Sequence, residues 1–530
     1  MAKRTVRLDR DTEQVLEQLV ERTGWSVSAI LRQGIHALHS RKAAETKRTA
    51  YDIYLDVMKE FKLPVLLLLA FATAAQASDF DTRFTGRTLR FDYFHGGTAK
   101  EEHVSLDKLR LEGDWPGSRV HLLDDSNLGK YLFEVIDPAI NRAVWTRGFS
   151  SIYGEWETTG EAAEGTWRTF HESVRFPEPR GKAQLVLKKR AADGSFREVY
   201  STLIDPASRF VDRSPVSSAG KVWNVFESGP PATKADLLVL GDGYTARETG
   251  KFHSDVQRLM DALFATEPFK SRRGDFNVRA IDLPSSESGV TDPRTGTWRR
   301  SPLGLAYNAF DSERYMLTFE DVAVREAAAQ APYDALILIS NSRKYGGGGI
   351  YGLWNTAAAD SAESAYLVIH EFGHSFGGLG DEYYTSQVSY QNFNPPGSEP
   401  WEPNVTALLD PKHPKWGDLT AANTPVPTPW NQEVYDKTVL GFEKIRRELR
   451  EKNAPEEKME ALFQEVREKT TPMLRAEKYF GKVGAFQGAA YEAKALYRPE
   501  ADCIMFSRNP KTFCAVCARA IERVIRMYAE

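Results

Sequence analysis

The spacing of hydrophobic and polar positions divides the chain into segments of different character. Between residues 78 and 213, apolar and polar residues alternate, as at 87–94, 131–136 and 182–188. Alternation with a period of two is typical of strands buried on one face, and turn-forming pairs such as Gly-Gly, Pro-Gly and Asp-Gly separate these runs. The pattern therefore predicts an antiparallel β-sandwich over residues 78–213.

A different pattern follows a stretch rich in Ser, Gly and Pro at 214–231, which we predict to be a linker. The continuous apolar run at 235–240 predicts a buried strand, and apolar residues at helical spacing predict a helix over 246–264. Further apolar runs at 276–281 and 334–339 predict two more strands. This order of elements predicts an α/β domain over residues 232–530. Its charged stretch at 433–477, broken near 453–455, predicts a solvated helical hairpin.

The first 48 residues carry a short alternating stretch followed by two amphipathic helical patterns. Strand-helix-helix at this length resembles the ribbon-helix-helix fold of antitoxins and small repressors. The resemblance implies that the segment, if expressed, binds DNA as a dimer, with Thr5 and Arg7 facing the bases. The alternative is a short helical hairpin without a partner.

Residues 58–77 have the three regions of a secretory signal. A short charged start at 58–62 precedes an apolar run at 63–75, and Ala75-Gln76-Ala77 is an A-x-A cleavage site. A buried core helix is the alternative. Cleavage between Ala77 and Ser78 would give a secreted or periplasmic protein, and residues 1–57 would then be a start-site or fusion artefact.

We expect translation to begin at Met58 and the mature chain to begin at Ser78, because a signal peptide acts at an N-terminus. N-terminal sequencing of the exported protein tests this expectation. A mature chain that still contains residues 6–38 would contradict it.

Composition narrows the functional classes. The hydrophobic fraction of 42% is sufficient for large cores, and the net charge of −4 does not favour nucleic acid or an anionic membrane as a partner of the mature chain. No stretch has the apolar length of a membrane-spanning helix.

The main candidates for catalytic and metal-binding residues lie in the sequence His370-Glu371-Phe372-Gly373-His374, an instance of HExxH. The apolar run before it and Gly377-Gly378 after it predict a helix, on which residues four apart share a face. Two imidazoles on one face suit a Zn²⁺ ion, and Glu371 can accept a proton from the attacking water as general base. A core helix that happens to carry two histidines is the alternative.

A catalytic zinc site usually has a third protein ligand. In the metzincin pattern HExxHxxGxxH that ligand would fall at position 380, which is glycine here. Asp381 lies one residue later, and a loop longer by one residue can return it to the metal. We therefore expect His370, His374 and Asp381 to bind Zn²⁺, with Glu382 supporting them from outside the coordination shell. A helix cap or turn carboxylate is the alternative role of Asp381.

The stretch HEFGHSFGGLGDEYY resembles the signature of the IgA peptidase family of zinc metallopeptidases, family sixty-four. The likeness extends to segments at 238–245, 341–349, 401–406, 484–489 and 497–499, and it covers the chain from about residue 79 onward. The resemblance implies an α+β multidomain protein in which the family's N-terminal β domain precedes a zincin-like, metzincin-type catalytic domain. The family name implies immunoglobulin A as a substrate, although no residue specifies it.

Several residues remain candidates for supporting roles. Tyr491 and Tyr497 are our leading candidates for stabilising the oxyanion, alongside Tyr383, Tyr384 and Arg498. By resemblance, Met505 forms a Met-turn beneath the zinc, and a core methionine is the alternative. The cysteines are 503, 514 and 517. In an exported protein they can form one disulfide with one thiol left over, whereas CxxC alone is a weak metal motif.

Two functions fit these observations. The first is an exported zinc endopeptidase that hydrolyses protein or peptide substrates. The second is an inactive metallopeptidase-like protein that binds glycans or proteins at a surface. The complete HExxH sequence favours the first.

Overall fold

The computed structural model describes residues 79–529, apart from 217, 219, 387–389, 391–392, 396 and 510–511. The predicted ribbon-helix-helix-like segment at 1–48 and the predicted signal at 58–77 lie outside the described residues. Among the helices of the described part, none is long and apolar enough to cross a membrane.

The fold is mixed α+β. The strands are β1 (Phe84–Gly97), β2 (Glu102–Asp114), β3 (Tyr131–Asp137), β4 (Arg142–Phe149), β5 (Arg168–Pro179), β6 (Ala183–Arg190), β7 (Phe196–Ile204), β8 (Val211–Asp212), β9 (Lys221–Phe226), β10 (Ala235–Asp242), β11 (Phe276–Asp282), β12 (Ala335–Ser340), β13 (Gly347–Ile350), β14 (Trp354–Ala358), β15 (Phe486–Ala489) and β16 (Glu492–Arg498). The helices are α1 (Asp79–Arg83), α2 (Ile152–Trp156), α3 (Gly160–Ala163), α4 (Thr249–Leu263), α5 (Asp321–Ala328), α6 (Ser364–Ser375), α7 (Gln432–Glu451), α8 (Glu456–Arg475) and α9 (Ala515–Ala529).

Two four-stranded sheets form the first half of the described chain, in the orders β5-β1-β2-β8 and β4-β3-β6-β7. All neighbours pair antiparallel except β2 and β8, which are parallel. Their inner faces meet in one hydrophobic core, where the Phe91 and Phe133 rings lie 5.8 Å apart. The alternating pattern of the sequence therefore predicted these strands correctly. Trp145 and Trp156 are buried, so they serve packing and not surface binding.

The second half is built on a six-stranded sheet in the order β13-β14-β12-β10-β11-β9. Its four central strands run parallel and both edge strands run antiparallel to their neighbours. All residues of β10 are buried, because alternate side chains enter cores on opposite faces of the sheet. The predicted strands at 235–240, 276–281 and 334–339 are confirmed.

The predicted linker at 214–231 differs from the structure. It contains β9, which pairs antiparallel with β11 and closes one edge of the six-stranded sheet. The segment contains an edge strand with apolar residues between its turn residues. We predicted a linker because Ser, Gly and Pro are frequent in the segment. The charged hairpin prediction is confirmed by α7 and α8, which pack against each other.

The sandwich packs directly on the six-stranded sheet. Residues of α2 and β5 share a hydrophobic core with β10 and β12. The Arg90 guanidinium, fully buried, pairs with Asp92 and Glu112 within its own sheet and with Glu326 of α5. The two halves consequently form part of one compact unit.

A buried charge cluster in the sandwich sets a pH dependence. His95 lies between two carboxylates, with Nδ1 2.8 Å from Glu172 and Nε2 2.9 Å from Glu102. Burial alone would lower the pKa of His95, but the charges and hydrogen bonds of Glu172 and Glu102 outweigh it and raise the pKa to about 9 from 6.5. Because the folded state binds the proton more tightly, this stabilisation is complete below pH 6.5 and is lost as the pH rises through 9.

We expect the free energy of unfolding to fall between pH 6.5 and 9 in the wild type. The fall should be about 3 kcal/mol larger than in His95→Gln, which cannot titrate. Denaturant unfolding at several pH values measures both slopes. His103→Gln, an exposed histidine on β2, is the control and should keep the wild-type slope. Equal slopes in the wild type and His95→Gln would contradict the assignment.

Candidate metal centre

Helix α6 carries both histidines of the HExxH sequence, as predicted. Leu367, Val368 and Phe372 anchor it in the hydrophobic core. The helix ends at Ser375, and Gly378 has a φ of +64°, which permits the chain to reverse. The Leu379 N–H then donates to the Gly373 carbonyl at 3.2 Å, so the chain turns back along the helix.

Three donor atoms converge on one point beside this helix. His370 Nε2 and His374 Nε2 are 3.2 Å apart, and Asp381 Oδ1 lies 3.1 Å from the first and 3.2 Å from the second. The structure thus brings together the three residues that the sequence predicted as ligands. An almost equilateral triangle of two imidazoles and a carboxylate can hold one small cation.

Hydrogen bonds to the opposite ring nitrogens orient both imidazoles. His370 Nδ1 lies 3.0 Å from the Ile504 carbonyl oxygen, and His374 Nδ1 lies 2.6 Å from that of Leu379. A carbonyl oxygen can only accept, so each Nδ1 carries the proton and each Nε2 presents its lone pair to the centre. The rings are therefore fixed in the tautomer that a metal requires.

The two oxygens of Asp381 have separate roles. Oδ1 is buried and has no hydrogen-bond partner among the described residues, whereas Oδ2 accepts a hydrogen bond from the Tyr491 hydroxyl. Burial alone would raise the pKa of Asp381, but His374 and His370 outweigh it and hold the pKa well below its usual range. Asp381 is therefore an anion whose free oxygen points at the histidines.

The loop between the helix and Asp381 is held by Asn404. Its side chain accepts from the Gly380 N–H at 2.8 Å and donates to the Gly380 carbonyl at 2.9 Å. These paired bonds fix the residue that lies at the metzincin ligand position and direct the next residue, Asp381, toward the histidines.

The tight turn between β15 and β16 also docks on this loop. Ala490 and Tyr491 both have positive φ, at 45° and 68°, which is unusual for residues with side chains. The Ala490 N–H donates to the Asp381 carbonyl at 2.9 Å, and the Tyr491 N–H donates to the Tyr383 carbonyl at 3.1 Å. These bonds offset the backbone strain and place the Tyr491 hydroxyl at Asp381.

Glu371 is buried next to the triangle. One of its carboxylate oxygens lies within 4.8 Å of donor atoms of both histidines, but among the described residues it is Asp381 that forms ion pairs with both, at 3.1 and 3.2 Å. We therefore favour Asp381 over Glu371 as the third ligand. Burial raises the pKa of Glu371, and the neighbouring His370 and His374 counteract the rise. A carboxylate with a raised pKa beside a cation site is suited to accepting a proton.

The glycines of β13 allow this edge strand to lie against α6. A Cβ atom on Gly349 would come within 2.4 Å of the Glu371 carbonyl oxygen and 2.9 Å of His374 Cβ. One on Gly347 would lie 3.2 Å from Glu371 Cγ. β13 is an edge strand of the six-stranded sheet, and its glycines place that edge beside the site.

The cleft over the centre also contains polar residues from outside the HExxH region. Arg314 donates from Nη2 to the Tyr383 hydroxyl at 3.0 Å, and both side chains line the cleft with Glu371. Glu155 of α2 and Tyr390 also line it. Arg314 lies far from HExxH in the sequence, within a segment without a recognisable motif, so spacing alone could not identify it.

The predicted supporting residues have different positions. Tyr383 and Tyr491 line the cleft, whereas Tyr497 lies in β16 opposite Gln487 and is not among the lining residues described. The Tyr384 hydroxyl donates to Asp436 at 2.5 Å, away from the triangle. Arg498 is fully buried and donates to backbone carbonyls, including that of Gly488 at 2.8 Å.

Glu382 and Met505 lie behind the centre. The expected supporting role of Glu382 stays a prediction. Its Oε1 accepts a hydrogen bond at 3.0 Å from Asn404, the residue that holds the ligand loop, and lies 3.2 Å from Cys517 Sγ. Met505 is buried against the helix, where its Sδ would be 3.0 Å from a Cβ atom on Gly373. Gly373 lies between the two histidines, so Met505 packs beneath them.

Two protein-family models match the chain. A model of the IgA peptidase M64 family matches residues 223–525, and a model of the M64 peptidase N-terminus matches residues 79–201. The chain belongs to the M64 peptidase family. Membership makes the protein a metallopeptidase by family, with a metal as its expected cofactor and proteins or peptides as its expected substrates. No curated protein matches the chain.

We expect Asp381→Ala to weaken metal binding at this centre by more than about 100-fold, because even loss of an outer-shell partner costs about 10–100-fold. Metal titration of the chelator-treated protein measures the change. Glu402→Gln alters another buried carboxylate of the same cleft and should bind as the wild type does. Wild-type affinity in Asp381→Ala would show that Asp381 is not a ligand.

Proposed function

We propose that this M64 family member is a zinc-dependent endopeptidase, exported through the signal at 58–77. The observation that carries the proposal is the triangle of His370 Nε2, His374 Nε2 and Asp381 Oδ1 beside Glu371. In a tetrahedral zinc site with Zn–N and Zn–O bonds of about 2.0–2.1 Å, donor atoms lie about 3.3 Å apart. The separations of 3.1–3.2 Å fit that geometry.

Zinc at this position would lower the pKa of water from about 15.7 toward 7 and polarise the substrate carbonyl. Glu371 takes the proton from the attacking water and then transfers it to the leaving amine. The raised pKa of Glu371 supports both steps, because the carboxyl group must hold the proton before it releases it. Three protein ligands would leave one coordination position of the ion for water or substrate.

Arg314 and Tyr383 are our candidates for stabilising the oxyanion. The Tyr383 hydroxyl accepts a hydrogen bond from Arg314, so its own proton is free to be donated to a substrate oxygen. The positive charge of Arg314 strengthens that donation. This assignment replaces Tyr497, and it gives Tyr491 the role of positioning Asp381.

The edge of β13 is suited to binding an extended substrate. The outer side of Gly347 is already engaged, since its N–H donates to the Arg314 carbonyl and its carbonyl accepts from the Met316 N–H. Alternation in an antiparallel ladder turns the N–H and carbonyl of Gly349 to the same outer side. A peptide that pairs with Gly349 would cross the centre as an added strand, which favours cleavage within a chain. The zincin-like architecture expected from the sequence is consistent with this edge.

We expect Glu371→Gln to lose peptide hydrolysis by at least about 10²–10⁴-fold while it retains zinc, because the amide keeps the shape but cannot accept the proton. Metal content and cleavage of a peptide library are measured on the same preparation. Glu363→Gln, at the start of the same helix and paired with Arg467, is the control and should keep activity. A chelator should abolish wild-type cleavage, and added zinc should restore it.

Two outcomes would contradict the proposal. Substantial turnover by Glu371→Gln would exclude Glu371 as general base. Zinc-loaded wild-type protein that cleaves no member of the library would favour the alternative function, an inactive metallopeptidase-like protein that binds glycans or proteins.

A further inference from the structure

A second cluster of potential metal ligands lies behind the first. Glu382, Cys503, Cys514 and Cys517 each offer one donor atom, and these four atoms lie within 4.8 Å of one another. All four side chains are buried, with exposures of 0%, 1%, 5% and 0% respectively. Glu382 belongs to the loop after Asp381, Cys503 precedes the Ile504 carbonyl, and the Cys514–Cys517 pair lies at the start of α9. The cluster therefore joins three separate segments.

The distances between sulfur atoms do not match a disulfide. Cys503 Sγ and Cys517 Sγ are 3.8 Å apart, whereas a disulfide has an S–S length of about 2.05 Å. All three cysteines are free thiols in the structure. The expected combination of one disulfide and one thiol is therefore absent from the described residues.

The same distances match tetrahedral coordination. With Zn–S bonds of about 2.3 Å and a Zn–O bond of about 2.0 Å, donor atoms in a tetrahedron lie about 3.5–3.8 Å apart. The observed separations are 3.8 Å for Cys503 and Cys517, 3.2 Å for Glu382 Oε1 and Cys517, and 3.9 Å for Glu382 Oε1 and Cys514. They bracket the expected edge lengths.

Two backbone N–H groups point at ligand sulfur atoms. The Cys514 N–H points to Cys503 Sγ at 3.2 Å, and the Cys517 N–H points to Cys514 Sγ at 3.5 Å. Glu382 Oε2 is buried and lacks a hydrogen-bond partner in the part of the chain that the structure describes. A buried carboxylate oxygen without a partner is costly unless it binds a cation. The fully buried Arg498 guanidinium adds a positive charge that acts on Glu382.

We propose that Cys503, Cys514, Cys517 and Glu382 bind a second Zn²⁺ ion, which is structural. Thiolates favour zinc over harder divalent ions such as Mg²⁺ and Ca²⁺. Four protein ligands leave no open position, which distinguishes this closed site from the three-ligand centre of the cleft. Three thiolates and one carboxylate around one Zn²⁺ carry a net charge of −2, and Arg498 offsets part of it.

The second ion supports the first centre through adjacent residues. Glu382 directly follows the ligand Asp381, and Cys503 directly precedes Ile504, whose carbonyl fixes His370. The Glu382 N–H also donates to the Met505 carbonyl at 2.9 Å, which ties these two segments together. A metal bound to both segments would hold the Asp381 oxygen and the Ile504 carbonyl at their working positions.

The decisive experiment removes the cleft centre from the full-length protein. The double variant His370→Ala, His374→Ala is purified without chelator, and its zinc content is measured by mass spectrometry of the metal. We expect about one zinc per chain, against about two in the wild type. X-ray absorption at the zinc edge of the variant should show sulfur neighbours at about 2.3 Å.

Ligand variants in the same background identify the site. Cys503→Ser and Glu382→Gln should each lose the remaining zinc or bind it at least tenfold more weakly. Val516→Ala is the matched control, because it removes buried apolar atoms between two of the ligands without removing a donor. It should retain the zinc, which separates loss of a ligand from loss of core packing.

Thiol titration of the denatured wild type without reductant gives a second measurement that does not depend on variants folding. The proposal requires that three thiols react, and that they react in the native protein only after zinc is removed. One reactive thiol and a mass lower by two hydrogens would establish a disulfide and overturn the proposal. A folded double-histidine variant without zinc would also overturn it.

Discussion

Two backbone carbonyl groups decide which nitrogen each histidine of the centre presents. Leu379 and Ile504 accept from the Nδ1 atoms of His374 and His370, so the Nε2 lone pairs can only point inward. Helical spacing places the two rings on one face, but it does not determine their rotation or tautomer. The positions of the chain at Leu379 and Ile504 therefore control the centre, and much of the surrounding structure serves to hold those two segments.

Packing around α6 shows how this control is achieved. Glycines allow β13 to approach from one side, and Met505 fills the space beneath Gly373 from the other. Asn404 and the β15–β16 turn fix the loop that returns Asp381 to the histidines. The sandwich contributes as well, because the Ser150 N–H donates to the carbonyl of Tyr351, just after β13, at 2.8 Å. Each of these contacts restrains a backbone segment, and the restrained segments position the metal-ligating side chains.

The sequence predicted those features that depend on local periodicity. His370, Glu371 and His374 were identified because one helical turn contains all three, and the sandwich strands were identified because their alternation is regular. Asp381 was predicted with an open alternative, since its approach depends on Asn404, more than twenty residues away. Arg314 was missed because no spacing rule connects it to HExxH.

The sequence alone could not show which of Tyr491 and Tyr497 lies at the centre. Both are tyrosines of one hairpin, and only their positions on that hairpin differ. The strained turn at Ala490 and Tyr491 carries no glycine that would mark it, and tertiary hydrogen bonds compensate for the strain. The edge strand β9 was missed for a related reason: its pairing with β11 overrides a composition typical of linkers. The sequence showed only the number and spacing of the cysteines. It could not show that Glu382, which lies far from them in the chain, joins them in one cluster.

The carbonyl that fixes His370 belongs to Ile504, 134 residues further along the chain. A ribosome synthesises the histidines well before that group exists, so a nascent chain that ends soon after α6 has the motif without the carbonyl that fixes His370. Tyr491 and Met505 are equally late. The order of synthesis therefore delays the metal centre. Its complete geometry can form only after nearly the whole chain has been synthesised and has folded.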